Sequence, residues 1–196
     1  KPIESQISAI ELNLSCPNVE CGGLSFGINP EESYKITSEI KNILDIPLWA
    51  KLTPNITDIT PVAKACVKAG AEAIILINTI LGMSIDIEKA RPKTNRPFAG
   101  YSGPAIKPIA LRFVWQVHEA LPDTPIIGVG GIRNVDDILE FMMAGASAIQ
   151  VGTNNFIQPD GMIKMIKGLE GYLKAKNIDH ISNLVGLAHG KELVSR

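Results

Sequence analysis

The sequence predicts an α/β fold built on a parallel sheet, with the unit spacing of a (β/α)8 barrel. Short apolar runs recur along the 196 residues, and each is followed by a segment of helical length. The runs do not alternate apolar with polar residues, which is typical of strands buried on both faces of a parallel sheet. The predicted strands span residues 8–14, 47–52, 73–77, 125–129 and 146–151.

The helices that follow these strands have recognisable ends. The first begins at Asn29-Pro30, since proline suits the first helical turn, and the second covers about 58–70 and ends at a glycine. The third covers about 105–121. Asn134 is placed to cap the fourth helix, which Gly145 ends, and the fifth covers about 160–175.

The five βα units follow one another without a linker, so residues 1–196 are predicted to form a single domain. The spacing suits a (β/α)8, or TIM, barrel, although a doubly wound sheet has a similar periodicity. A barrel needs eight strands and about 250 residues. Either the sheet is open, therefore, or about three βα units are absent. The polar insertion at 82–103 is long enough to predict a functional loop or a small hairpin.

The composition indicates which partners and which cellular location to expect. The chain has 19 basic and 20 acidic residues and a net charge of −1, which does not favour nucleic-acid binding. No apolar stretch reaches the ~18 residues of a membrane span, so no membrane association is expected. Three irregularly spaced cysteines, Cys16, Cys21 and Cys66, do not suit a disulfide framework, and we expect a reducing, cytoplasmic location.

Two turns after the last two predicted strands indicate a phosphate site. Gly130-Gly131 follows the fourth strand and Gly152-Thr153 the fifth. In (β/α)8 barrels, the loops after strands 7 and 8 and a short extra helix often hold a phosphate, and glycine lets the backbone approach it. Tight turns alone would explain either pair by itself, whereas the two pairs together favour a phosphate site.

Polar residues also end the first three predicted strands. Asn13 and Asn18 flank the end of the first strand, Lys51 ends the second, and Asn78-Thr79 end the third. Barrel active sites lie at this end of the strands. Amide groups there suit a flat polar substrate, and a lysine suits an anionic cofactor or intermediate.

Cys16 lies at the start of the loop after the first strand. It could act as a nucleophile, as a base or as a small core residue. Cys21 follows five residues later, but no His or further Cys is near in sequence, so a metal site is not predicted. Glycines 22, 23 and 27 predict a mobile loop that could act as a lid.

Six short motifs, taken in order, resemble those of the dihydroorotate dehydrogenases. They are Asn-Leu-Ser-Cys-Pro-Asn (13–18), Ala-Lys-Leu (50–52), Ile-Asn-Thr (77–79), Ser-Gly-Pro-Ala-Ile-Lys-Pro (102–108), Gly-Val-Gly-Gly-Ile (128–132) and Val-Gly-Thr (151–153). The resemblance extends over about residues 8–169. It implies a TIM barrel of which this chain supplies about the last five βα units, and an FMN-dependent oxidation of dihydroorotate to orotate in pyrimidine biosynthesis.

The resemblance also implies roles for individual residues. Cys16 would be the catalytic base that takes the proton from C5 of dihydroorotate, while a hydride passes from C6 to FMN. Lys51 would lie beside the flavin ring, and Asn13 would contact both FMN and substrate. The other implied contacts are Asn18, Asn78 and Thr79 with the substrate, Ile77 and Gly103 with FMN, and Gly130, Gly131, Gly152 and Thr153 with its phosphate.

Residues 78–86, Asn-Thr-Ile-Leu-Gly-Met-Ser-Ile-Asp, resemble class 1B of this family most. That class implies a homodimer of catalytic subunits joined to an iron–sulfur flavoprotein, which carries FAD and a [2Fe–2S] cluster and passes electrons to NAD. The alternatives are a fumarate-dependent class 1A enzyme, the pyrimidine-reducing domain of dihydropyrimidine dehydrogenase, and a non-catalytic barrel fragment. The family's first three strands have no counterpart here, so we expect the chain to be part of a longer protein.

Overall fold

The computed structural model describes residues 3–15 and 23–190. In chain order its strands are β1 (Ile10–Asn13), β2 (Leu48–Lys51), β3 (Ala73–Leu76), β4 (Ile80–Gly82), β5 (Ile85–Asp86), β6 (Arg91–Pro92), β7 (Ala99–Tyr101), β8 (Ile126–Val129) and β9 (Ala148–Gln150). Its α-helices are α1 (Gly23–Ile28), α2 (Pro30–Lys41), α3 (Thr60–Lys68), α4 (Lys107–Ala120), α5 (Val135–Met143), α6 (Asn154–Ile157) and α7 (Gly161–Ala175).

Five of the strands form the central sheet, in the order β1-β2-β3-β8-β9. Every pairing in this sheet is parallel, and the register places Asn13 opposite Lys51 and Lys51 opposite Ile75. This confirms the five predicted strands and their common direction. Their carboxyl ends therefore meet along one rim.

The helices cover one face of this sheet and enclose the main core. Side chains such as Ala50, Ile74 and Ile126 are fully buried against them. Helices α2, α3, α4, α5 and α7 contact one another in chain order. That sequence of contacts is typical of the outer ring of a (β/α)8 barrel, whereas a doubly wound sheet carries helices on both faces.

The opposite face of the sheet, which we call the inner face, carries a small apolar layer of Trp49, Ala73, Ile75, Ile127 and Val129. These residues alternate along each strand with those that face the helices. Burial differs between strands. All four residues of β3 are buried, while β1 and β9 alternate or remain partly exposed. The expectation of burial on both faces is wrong for these two because they form the edges of the described sheet.

The helix ends agree with the sequence in most places. The Asn29 side chain accepts a hydrogen bond from the N–H of Glu31 at the start of α2, and Asn134 forms a capping box with Asp137 at α5. The third predicted helix differs at its start, because Pro104–Ile106 form a 3-10 turn before α4 begins. Gly23–Ile28 form α1, which corrects the loop expected for that part of the chain.

The insertion after β3 folds into two small antiparallel pairs, β4 with β7 and β5 with β6. This confirms a hairpin structure rather than a plain connection. Cys66 is a core residue of α3, where burial raises the pKa of its thiol to about 11. Within the described residues, no helix is long and apolar enough to cross a bilayer.

Candidate functional site

A cleft of about 270 Å³ opens at the carboxyl-terminal rim of the sheet, beyond the ends of β2, β3, β8 and β9. It brings together most of the residues predicted to form a site. Its lining includes Lys51, Ile77, Asn78, Thr79, Gly103, Gly130, Gly131, Gly152 and Thr153. Asn13 is outside the lining but contacts it, since Asn78 donates a hydrogen bond to the Asn13 Oδ1 at 3.0 Å. Cys16, Cys21 and Asn18 lie outside the described residues.

The loop after β8 is closely packed against the turn that precedes α4. Gly131 has a φ of +77°, and a Cβ at this position would lie 2.9 Å from both the Gly103 carbonyl oxygen and the Lys107 nitrogen. Neither backbone atom can move aside as a flexible side chain would. Any larger residue at 131 would therefore be strained and would also displace the loop from the cleft.

The loop after β9, by contrast, has open space around its glycine. A Cβ built on Gly152 would meet no atom within 4 Å, and Gly152 lines the cleft. The Thr153 hydroxyl donates to the Ser102 hydroxyl oxygen at 2.9 Å, which joins this loop to the segment before α4. The fold therefore leaves open space next to the Gly152 backbone. An oxyanion could approach the backbone at this point.

An ion pair between Lys107 and two carboxylates, which we call the brace, stabilises the loop after β8. The Lys107 ammonium lies 2.6 Å from the Asp137 carboxylate and 2.9 Å from that of Glu140. The second Asp137 oxygen accepts hydrogen bonds from the N–H groups of Arg133 and Asn134. One carboxylate thus connects the start of α4 to the residues that follow Gly130-Gly131.

The environment shifts the pKa values of both Lys107 and Asp137. Burial alone would raise the pKa of Asp137. The Lys107 ammonium and the Arg133 and Asn134 amides outweigh burial, and the pKa lies below its usual range. The hydrogen bond to Asp137 raises the pKa of Lys107. Both groups are therefore charged at neutral pH, and the brace is intact there.

A cluster of amides and hydroxyls joins the ends of β1 and β3. Asn13 Oδ1 accepts hydrogen bonds from the Ser15 N–H at 3.0 Å and from the Ser15 hydroxyl at 2.7 Å. The Asn78 side chain donates to both Asn13 and Ser15, and its own Oδ1 accepts from the Thr79 N–H at 2.7 Å. The amide orientations are thus mutually fixed, as a site that recognises a flat polar molecule requires.

Lys51 has a carboxylate partner on the inner face. Its ammonium lies 3.0 Å from Glu11 Oε1, and the Gln150 side chain donates to Glu11 Oε2 at 2.9 Å. Glu11 lies on β1 and Gln150 on β9, at opposite edges of the sheet. In a flat sheet four strand spacings would separate them by about 19 Å, too far for these side chains to meet. The sheet is therefore strongly curved about the inner face.

Glu11, Gln150, Ser15 and Ser102 are residues that the sequence reasoning did not single out. One signal was present for Glu11, since it lies two positions before Asn13 in the same strand and so shares its face. Within the described residues, no group of three His, Cys, Asp or Glu side chains is arranged to hold a metal ion.

Comparisons with known proteins test the family resemblance. A family model described as "Dihydroorotate dehydrogenase" matches residues 1–173. The chain belongs to the dihydroorotate dehydrogenase family. That membership accounts for the ordered motifs whose residues line the cleft, and it confirms the family resemblance inferred from the sequence.

Curated members of the family are similar over nearly the whole chain. A protein from Alkaliphilus metalliredigens, named dihydroorotate dehydrogenase B (NAD(+)), catalytic subunit, is 49% identical over 183 residues, covering 93% of this chain and 60% of that protein. A relative from Aquifex aeolicus whose name gives dihydroorotate dehydrogenase A (fumarate) is 48% identical over 188 residues, covering 95% of this chain and 61% of that protein. The chain thus spans about 60% of the length of these relatives.

A solved structure supports the architecture. The crystal structure of a dihydroorotate dehydrogenase from Eimeria tenella, in complex with ferulenol, superposes with a TM-score of 0.81 at 20% identity. It covers 97% of this chain and 57% of that one. The five parallel strands and their helices are therefore part of a TIM barrel, as the sequence predicted.

Proposed function

We propose that the full-length protein containing this chain binds FMN in the cleft and oxidises dihydroorotate to orotate in pyrimidine biosynthesis. One observation carries the proposal. Residues that the family motifs place on four separate strands line a single cleft, with glycine loops at one end and amides at the other. Such an arrangement suits a ligand with an anionic tail and a flat polar head.

The residues present fit FMN. The backbone next to Gly152 is open, so a phosphate could reach N–H groups there and beside Gly130-Gly131. Ile77 and Val129 supply apolar contacts for a ring system, and Lys51 supplies a positive charge at the cleft wall. When bound, FMN supplies an acceptor for the hydride that leaves C6 of the substrate.

The chain's own residues would then orient the substrate and remove a proton. Asn13, Asn78 and Thr79 would hold dihydroorotate through its ring amides and carbonyls, with Asn18 contributing from the following loop. Cys16 would take the proton at C5, because it lies in the family motif that begins at Asn13. A cysteine can act as a base because the pKa of a free thiol, about 8.5, is easily lowered by cationic groups.

We also propose that the electrons pass to NAD through a partner subunit that carries FAD and a [2Fe–2S] cluster, within an assembly built on a homodimer of catalytic subunits. Residues 78–86 and the name of the Alkaliphilus relative support this acceptor. The Aquifex relative supports fumarate as the second candidate. Dihydroorotate-dependent reduction of NAD by the purified complex supports the first, whereas fumarate-dependent turnover without a second subunit would establish the alternative.

The test of the oxidation itself is an anaerobic absorbance measurement. The full-length protein, purified with FMN, should lose its flavin absorbance when dihydroorotate is added, and orotate should form in equal amount. Dihydrouracil is the matched control, since it lacks the carboxylate at C6, and it should reduce the flavin far more slowly. A protein that binds no FMN, or whose FMN stays oxidised with dihydroorotate, would refute the proposal.

A further inference from the structure

The polar contacts of Lys51 suggest a role for two residues to which nothing has been assigned. Lys51 lines the cleft, and its ammonium is held by Glu11 on the neighbouring strand at 3.0 Å. The other Glu11 oxygen accepts a hydrogen bond from Gln150 at 2.9 Å. A lysine with four rotatable side-chain bonds has little positional definition of its own, and this pair supplies it.

Glu11 is exposed on the edge strand β1, but its neighbours restrict where its carboxylate can lie. Trp49, Ile75, Ile127 and Val129 form an apolar layer on the same inner face. Glu11 is held by partners from both sides, since Lys51 approaches from β2 and Gln150 from β9. Contacts from two strands fix the place of the Glu11 carboxylate, and through it the place of the Lys51 ammonium beside the cleft.

The charge of Glu11 also changes what a ligand in the cleft experiences. A lone ammonium favours any increase of negative charge beside it, and a carboxylate 3.0 Å away cancels part of that preference. A flavin ring gains negative charge when it is reduced. The balance between Lys51 and Glu11 therefore adjusts how much more tightly the cleft holds reduced FMN than oxidised FMN.

We propose that Glu11, held by Gln150, is a positioning residue that fixes Lys51 beside the flavin ring and lowers the reduction potential of bound FMN by offsetting the lysine's charge. This inference rests on the proposed binding of FMN. It concerns the potential rather than the reaction itself, because neither Glu11 nor Gln150 is assigned to the substrate.

The test compares two substitutions that change the charge in opposite directions. Glu11→Gln removes a negative charge and should raise the midpoint potential of bound FMN, whereas Gln150→Glu adds one and should lower it. A tenfold change in the relative affinity for the two oxidation states corresponds to about 30 mV for a two-electron couple, and we expect shifts of at least that size. Glu11→Asp keeps the charge and should return the potential most of the way to that of the parent.

Glu72→Gln is the matched control. Glu72 pairs with Lys41 at 2.9 Å, but it immediately precedes β3, at the end of the sheet away from the cleft. The same loss of charge at that end should leave the midpoint potential unchanged. A purely structural role for Glu11 predicts no such dependence on the sign and the place of the charge.

The measurement is an anaerobic potentiometric titration of the full-length protein with FMN bound, together with the FMN dissociation constant of each variant. Shifts of opposite sign for Glu11→Gln and Gln150→Glu, with none for Glu72→Gln, support the inference. Shifts of the same sign, or no shifts, in proteins that retain FMN overturn it and leave the proposed function intact. Failure of the parent to bind FMN overturns both. If Glu11→Gln does not fold, Gln150→Leu, which removes the hydrogen bond to Glu11 without changing any charge, decides the question: a shifted midpoint potential supports the inference, and an unchanged one overturns it.

Discussion

The two ends of the cleft are built in different ways. At the end proposed to bind phosphate, after β8 and β9, glycine backbone forms part of the lining, and its shape depends on Gly131 and Gly152 and on the Lys107–Asp137 brace. At the end proposed to bind substrate, after β3, Asn78 and Thr79 line the cleft, and the Asn78 side chain is held by its hydrogen bond to Asn13 at the end of β1. Substitutions at the first end should therefore act on cofactor binding and folding, and those at the second on substrate binding and rate.

The largest effect should come from the substrate end. Cys16→Ala in the full-length protein should slow flavin reduction by dihydroorotate by about 10²–10⁴-fold, the usual contribution of a positioned base. FMN binding should remain nearly intact, because the phosphate end is untouched. Stopped-flow absorbance under anaerobic conditions measures both.

Two further cysteine variants sharpen this result. Cys16→Ser should fall between the parent and Cys16→Ala, because a hydroxyl keeps the geometry but is a poorer base. Cys21→Ala, five residues away, should have only a modest effect. Reduction at the parental rate in Cys16→Ala at every pH would show that the base is another residue, and a slow Cys21→Ala alone would place it in the following segment.

A second substitution at the substrate end should act on binding. Asn78→Asp replaces the amide donor that Asn13 Oδ1 accepts with a carboxylate oxygen, so two acceptors would face each other. We expect the KM for dihydroorotate to rise by about 10–100-fold, which corresponds to 1–3 kcal/mol for a disrupted, desolvated polar contact. Steady-state kinetics measures it. Asn42→Ala, an exposed amide after α2, is the control and should leave the KM unchanged.

At the end proposed to bind phosphate, Gly152→Ala should weaken FMN binding without lowering the stability of the fold. Its Cβ would meet no protein atom within 4 Å, yet it would project where the backbone lines the cleft. We expect a loss of FMN affinity of about tenfold, measured by fluorescence quenching, and an unchanged melting temperature of the FMN-free protein. Gly171→Ala on α7 also meets nothing within 4 Å and lies outside the cleft lining, so it should not alter FMN affinity. Equal affinities in the two variants would contradict the assignment of this end.

The brace behind the phosphate loop should contribute mainly to stability. Lys107→Met leaves the buried Asp137 carboxylate with only backbone donors, and we expect a cost of about 1–3 kcal/mol in the free energy of unfolding. Urea unfolding measures it. Lys164→Met breaks an exposed pair with Asp160 of similar length, 2.8 Å, and should have no measurable effect. Equal destabilisation by the two would mean that the brace contributes no more than a surface pair.

The smallest effect should be a pH dependence of folding stability that arises from the same ion pair. Because the folded-state pKa of Asp137 lies below its usual value of 3.8, the carboxylate contributes stability above about pH 4 that is lost as the pH falls through the folded value. The parent should therefore lose stability more steeply below pH 4 than Asp137→Asn does. Unfolding curves at several pH values test this, and parallel pH dependences would show that Asp137 has no part in it.

The residues at the ends of the strands were predicted better than the burial of the strands at the edges of the sheet. Lys51, Asn78 and Thr79 were predicted to share a rim because they end parallel strands, and that follows from local pattern alone. The partial exposure of β1 and β9 depends on which strands are neighbours, and no single run of residues encodes it. The 3-10 turn before α4 likewise reflects the close packing of the Gly103 turn against Gly131.

Contacts between distant elements could not be predicted from the pattern. Glu11 and Gln150 are 139 positions apart, and they meet only because the sheet curves. Lys107 and Asp137 lie on different helices that pack side by side. Such pairs depend on the curvature and on the helix packing, so only the structure identifies them.

A structure of the full-length protein with FMN bound would test the account most directly. The phosphate oxygens should lie about 3 Å from backbone nitrogens in the loops after β8 and β9. The flavin ring should lie beside Lys51, and Asn78 should face the substrate. A phosphate located at the ends of β1 and β3, or a flavin outside the cleft, would contradict it.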